Sequence, residues 1–214
     1  MSHKHHDTDN FGSYPFLCFR QGVWREIVRY VRRDVGPVNS LIELGSGYGD
    51  FINQFPARHR LAFDLNRKMG EFLVPDVKFY DRSAEDIGRL PKSSADMVFA
   101  SNFLEHLDDR RLERLMPLVR QVLVPGGRLV LLQPNYRLCA DRYFEDETHV
   151  SIFSDETIGP FLSWHGFEVV KLVPGLLPFS MKSRLPKWPF LVRLYLMSPF
   201  KPLAAQMYVV AKRI

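Results

Sequence analysis

The chain has 214 residues, 46% hydrophobic and 25% charged, which suits one globular domain with a three-layer core and excludes a disordered or repetitive protein. No run of eighteen uncharged apolar residues is present, so no membrane-spanning helix is expected, and two cysteines without paired spacing, Cys18 and Cys139, suggest a reducing, cytoplasmic setting. The net charge of +5 is uneven: Val169 to Ile214 holds eight cations and no Asp or Glu, which points to an anionic partner for the C-terminal part.

In chain order, Met1 to Asn10, with His3, Lys4, His5 and His6, reads as a polar tail, and residues 1–18 as a flexible N-terminal segment. Val23, Trp24, Ile27, Val28 and Val31 recur at helical spacing, predicting an amphipathic helix from Phe19 to Val35 that Gly36 and Pro37 stop. Strands are predicted at Val38 to Leu44, Arg60 to Leu65, Val77 to Tyr80, Asp96 to Ser101 and Arg128 to Gln133. Helices are expected between them near Tyr48 to Phe55, Arg67 to Leu73 and Asp109 to Leu123. This alternation implies right-handed βαβ units and a parallel sheet. A helix near Asp155 to His165, a strand from Phe167 to Val173 and a last strand from Gln206 to Lys212 follow. Residues 174–205, rich in proline and bulky apolar residues, are too long for a hairpin turn and read as a lid or substrate-binding insert.

The chemistry concentrates where the strands end. Glu43-Leu44-Gly45-Ser46-Gly47-Tyr48-Gly49-Asp50 closes the first strand with glycines that let the backbone turn sharply and approach a ligand, ahead of a helix whose N–H groups would point at it. Asp64 ends the second strand, where a carboxylate can accept hydrogen bonds from a ribose diol. Both devices serve nucleotide cofactors in general and do not by themselves separate NAD from S-adenosylmethionine.

Five segments together resemble the class I S-adenosylmethionine-dependent methyltransferases, particularly their small-molecule branch, over roughly Val38 to Val173. They are Glu43 to Gly49; Asp64; Arg82-Ser83-Ala84-Glu85-Asp86-Ile87; Asp96 to Leu107 with Ser101-Asn102-Phe103-Leu104-Glu105-His106-Leu107; and Leu123-Val124-Pro125-Gly126-Gly127-Arg128-Leu129. The resemblance implies one Rossmann-like α/β domain over residues 1–214, three-layered, around a mostly parallel seven-stranded sheet with an antiparallel last strand. It implies S-adenosyl-L-methionine as cofactor, with Glu43, Gly45, Ser46 and Gly47 about the methionine, Asp64 and Leu65 at the ribose and adenine, Ser83, Ala84 and Glu85 by the adenine edge, and Ser101 and Asn102 under the sulfonium. Relatives often carry Asp where Ser83 stands, and Asp81 is the nearest substitute. Arg20 could pair with the methionine carboxylate.

Histidine titrates near working pH, so His106 and His149, which the resemblance puts near the substrate mouth, are the catalytic-base candidates; each could equally cap a helix or bond the backbone. Tyr136, Asp141, Tyr143 and Asp146 are candidate substrate contacts. The histidines are too isolated along the chain from Cys or Asp clusters to predict a metal site. The expected acceptor is a small molecule or a lipid- or glycan-linked one, and the basic apolar stretch 182–201 suits peripheral contact with an anionic membrane. An NAD oxidoreductase lacks its GxGxxG spacing here, a nucleic-acid methyltransferase lacks its Asn/Asp-Pro-Pro-aromatic motif, and a non-catalytic protein of the same fold is the third rival.

Overall fold

A computed structural model describes the backbone of residues 14–179 and 186–214, with side chains from Phe19 onward. Lys182 and Arg184 of the basic insert, and the tail through residue 13, lie outside the described residues. Helix α1 spans Tyr14–Val35, beginning five residues ahead of the expected Phe19, so the end of the segment expected to be flexible is helical. Its buried Val23, Ile27, Val31 and Val35 return every fourth residue and form one stripe against the sheet.

The strands are β1 (Ser40–Leu44), β2 (His59–Phe63), β3 (Val77–Tyr80), β4 (Ala95–Ser101), β5 (Leu123–Pro134), β6 (Phe167–Pro178) and β7 (Ala204–Arg213), joined by α2 (Asp109–Val122), α3 (Tyr136–Cys139), α4 (Ile158–Trp164) and α5 (Pro189–Met197). They form one sheet in the order β3-β2-β1-β4-β5-β7-β6, parallel except that β7 runs antiparallel to both neighbours, as expected. Side chains alternate across it. Ile42, Leu44, Val98, Ala100, Leu129 and Leu131 face α2 and α4, whereas Leu41, Met97, Phe99, Val130 and Leu132 face α1 and α5. The sheet is therefore buried on both sides, and each of these large side chains contributes on the order of 1.5–3 kcal/mol by leaving water. Phe51 stacks on Phe99 with ring centroids 3.6 Å apart.

The segments after β1 and β2 also depart from the sequence reading. The helix expected over Tyr48 to Phe55 is a run of turns. Side chains take the hydrogen bonds a helix would use: the Glu43 carboxylate accepts from Ile52 N at 3.0 Å, and Arg60 donates to the carbonyls of Ile52 and Asn53 at 3.0 and 3.1 Å. The helix expected over Arg67 to Leu73 is a tight 3₁₀ helix, Arg67–Phe72, capped by Asn66. The described residues of the insert form the end of β6 and α5. Among the described residues no helix is long and apolar enough to cross a membrane.

Candidate functional site

Connections leave β1 toward β2 on one side and reach β4 on the other, so the carboxyl ends of β1 and β4 flank the crevice where open α/β sheets bind ligands. The register gathers the predicted residues there. Leu44 pairs with Phe63 and with Ala100, and Phe63 with Tyr80, so Gly45, Asp64, Asp81 and Ser101 emerge side by side.

The loop after β1 is tightly specified. Gly45 N and Ser46 N both donate to the Phe63 carbonyl, at 2.9 and 3.2 Å, and Gly47 N donates to Asp64 Oδ2 at 2.8 Å. Gly45 has φ +64° and a Cβ there would come within 2.5 Å of the Phe103 ring. Gly47 has φ +49°, yet a Cβ would meet nothing within 4 Å; its backbone borders open space. Asp64 Oδ1 accepts from Asn66 N at 2.8 Å, so two backbone donors fix a carboxylate that keeps further lone pairs. Leu65 beside it is 70% exposed. Ser46 Oγ is buried and has no hydrogen-bond partner among the described residues.

Glu43 is buried beneath the loop, and burial, with Asp50 nearby, pushes its carboxyl well above the usual range; it pins the loop from below. Ser83 caps the 3₁₀ turn Ala84–Arg89 by accepting from Glu85 N at 3.3 Å, and Ala84 is buried. The Glu85 side chain is committed to Arg114 and Arg111 of α2, and the hydrogen bond from Arg114 is the main cause of its lowered pKa. Asp81 is exposed at the end of β3.

Next to this edge lies a cavity of about 570 Å³. Ser101 and Asn102 form part of its wall; Asn102 sits at φ +47° and its Oδ1 accepts from Gln206 Nε2 at 3.1 Å. Arg20 lines the wall too, ion-paired to Asp50 and 5.2 Å from the Tyr48 ring centre. The remaining wall is mostly apolar: Val23, Trp24 and Ile27 of α1, Leu177 to Phe179 at the end of β6, and Leu191, Val192 and Tyr195 of α5. The β6 and α5 members of this wall belong to the 174–205 insert, whereas its α1 members and Gln206 were not singled out in the sequence as site residues, because no motif links them to the strand ends.

His106 and His149 both line the cavity with ring centroids 4.9 Å apart, although 42 residues separate Thr148 from His106, to which it bonds. Backbone stitching brings them together: Val150 N and Ser151 N donate to the Glu105 carbonyl at 2.9 and 3.1 Å, and Ser151 Oγ donates to the Leu107 carbonyl at 2.6 Å. His106 Nδ1 lies 2.8 Å from Thr148 Oγ1, while His149 Nδ1 donates to the Tyr143 carbonyl at 2.6 Å. Of the four predicted substrate contacts, Asp146 lines the cavity; Tyr143 is fully buried with its hydroxyl on the Ser151 carbonyl, Tyr136 packs on Tyr143, and Asp141 is exposed. Glu105, passed over in the sequence, is 1% exposed, and burial drives its carboxyl up to about 8 despite the nearby N–H groups of Phe103 and its own backbone.

A family model for a methyltransferase domain matches residues 16–172. No curated protein matches the chain. Among solved structures, a SAM-dependent methyltransferase from Archaeoglobus fulgidus superimposes with TM-score 0.67 at 21% identity, covering 94% of this chain and all of that one. SAM-dependent methyltransferases from Thermotoga maritima (TM-score 0.68, 17% identity, 94% of each chain) and Mesorhizobium loti (TM-score 0.61, 18% identity, 94% and 99%) share the architecture.

Proposed function

The chain belongs to the methyltransferase-domain family, and on that premise we propose that it binds S-adenosylmethionine along the β1–β2–β4 edge and methylates an apolar or amphiphilic acceptor held in the adjoining cavity. The residues present fit such a cofactor: Gly47 leaves open space where a ligand must come close, the fixed Asp64 carboxylate suits a ribose diol, and Ser46 Oγ is a buried hydroxyl in need of a partner. The cofactor supplies a methyl group on an already activated sulfonium. The chain's part is alignment and, where the acceptor requires it, removal of a proton. Ser101 and Asn102 floor the junction between edge and cavity, Arg20 offers charge toward a carboxylate, and His106 and His149 border the acceptor space as proton acceptors.

The apolar wall carries the acceptor reading. A cavity of about 570 Å³ with so few polar groups matches a ligand that buries hydrocarbon or aromatic surface, and suits a phosphate-rich nucleic acid poorly. Helix α5 supports a membrane-associated version. Leu191, Val192 and Tyr195 face the cavity, while Phe190, Leu194 and Met197, at i, i+4 and i+7, are 68%, 49% and 58% exposed, flanked by exposed Trp188 and Phe200. With exposed Arg193 on the same helix, this outer face suits an anionic lipid surface from which an amphiphilic acceptor could enter.

The test is a transfer assay with methyl-labelled S-adenosylmethionine on fractionated cell extract. Label appearing in solvent-extractable material supports the acceptor class; label confined to nucleic acid or protein contradicts it.

A further inference from the structure

Glu105, His106 and His149 each offer one ligand atom, and these atoms lie within 4.8 Å of one another; the two histidines line the cavity and Glu105 is buried. We propose that these three side chains bind a divalent transition-metal ion whose remaining coordination positions face the cavity and hold an oxygen atom of the methyl acceptor.

Three observations carry this beyond a chance cluster. Both Glu105 carboxylate oxygens are buried and have no hydrogen-bond partner among the described residues, in a side chain 1% exposed. In its ionised form a carboxylate so placed costs several kcal/mol unless a cation meets it. The His149 tautomer is set from behind: a carbonyl can only accept, so the contact with Tyr143 O requires the proton on Nδ1 and leaves the Nε2 lone pair as the ligand atom. His106 Nδ1 lies 2.8 Å from Thr148 Oγ1 and 3.3 Å from the Thr148 carbonyl, which holds the second imidazole in place beside the first. Finally, Asp146 Oδ2 lies 3.9 Å from His149 Nε2, a second carboxylate beside the same point, itself fixed by Thr148 N at 3.0 Å.

Two imidazoles and one carboxylate favour Zn²⁺, Mn²⁺ or Fe²⁺ over Mg²⁺ or Ca²⁺, which prefer all-oxygen sets. Because His106 and His149 line the cavity, the open positions face the acceptor. This rests on the methyltransferase reading and replaces direct proton acceptance by His106 and His149: an acceptor hydroxyl at the ion releases its proton to solvent more readily, and its oxygen forms the O–CH₃ bond as the sulfonium S–CH₃ bond breaks, the electron pair staying on sulfur. The site thereby selects oxygen acceptors.

The experiment uses the full chain with His3, His5 and His6 changed to alanine, since the tail histidines could ligate on their own. Zn²⁺ binding is measured by calorimetry and Co²⁺ binding by its visible absorption, with S-adenosylmethionine titrated in parallel. The expected result is a single tight equivalent of Zn²⁺ and Co²⁺ bands, both weakened at least about tenfold in Glu105→Gln and in His149→Gln. His106→Ala replaces either variant should circular dichroism show it unfolded. Absence of Zn²⁺ and Co²⁺ binding, or binding unaltered in the folded variants, overturns the proposal while leaving cofactor binding to stand. Metal binding without S-adenosylmethionine binding overturns the methyltransferase reading and keeps the metal site.

Discussion

Gly45 and Gly47 occupy the same left-handed region two residues apart, and the structure assigns them different duties that substitution separates. An alanine in this region costs about 1–2 kcal/mol of backbone strain wherever it is placed. Gly36→Ala calibrates that cost, since Gly36 has φ +69° and a Cβ there meets nothing within 4 Å. At Gly45 the new methyl would lie 2.5 Å from Phe103 Cδ2, which adds an overpacking cost of about 1–3 kcal/mol. In a chain of this size each kcal/mol lowers Tm by roughly 2–4 °C, so Gly45→Ala is expected to melt clearly below Gly36→Ala. Gly47→Ala meets open space and should melt with Gly36→Ala, yet its methyl enters the volume assigned to the cofactor, and about 1–3 kcal/mol there weakens S-adenosylmethionine binding by roughly 5- to 150-fold. Calorimetry and thermal melts on the three variants give both readouts. Unaltered cofactor affinity in Gly47→Ala, or equal melting of Gly45→Ala and Gly36→Ala, refutes the reasoning.

Other perturbations follow from the same geometry. Glu43 titrates above its ordinary value in the folded chain, so the folded state holds a proton the unfolded chain has released; this contribution is complete below about pH 4.5 and is lost as pH rises through the folded pKa. Glu43→Gln, which keeps an oxygen for Ile52 N, should therefore gain stability relative to the parent as pH rises from 4.5, read by urea melts across pH. Arg20→Met strands Asp50, whose side chain is 9% exposed, and is expected to cost about 2 kcal/mol at pH 7, a cost that shrinks as pH falls through the Asp50 pKa, which burial already holds above its ordinary value and loss of Arg20 raises further; equal losses at pH 3.5 and 7 would contradict the ion pair. Phe190→Ser with Met197→Ser should leave Tm within about 2 °C, because both side chains are exposed, while reducing flotation with anionic vesicles at least about tenfold at low salt. Flotation of the parent absent at both low and moderate salt would dismiss the membrane face.

The strands and the residues at their carboxyl ends were legible because parallel strands buried on both faces read as apolar runs ending in glycine or acid, as at Leu41–Gly45 and Ala62–Asp64. The segment after Gly47 was misread as helix because the competitors for its backbone, Glu43 and Arg60, lie outside it in sequence. Likewise His106 and His149 were each visible as candidates, but their approach depends on backbone bonds from Val150 and Ser151 to Glu105, which no periodicity encodes. The burial that strips Glu105 of partners is a property of the packed loops; within Leu104-Glu105-His106 it reads as an ordinary surface acid.

Calorimetric titration of the purified chain with S-adenosylmethionine, with NAD in parallel and Asp64→Ala as control, tests the central claim most directly. Micromolar-range S-adenosylmethionine binding that is lost in Asp64→Ala, with no heat from NAD, is the expected result. Absence of S-adenosylmethionine binding, or binding of NAD in its place, would contradict it.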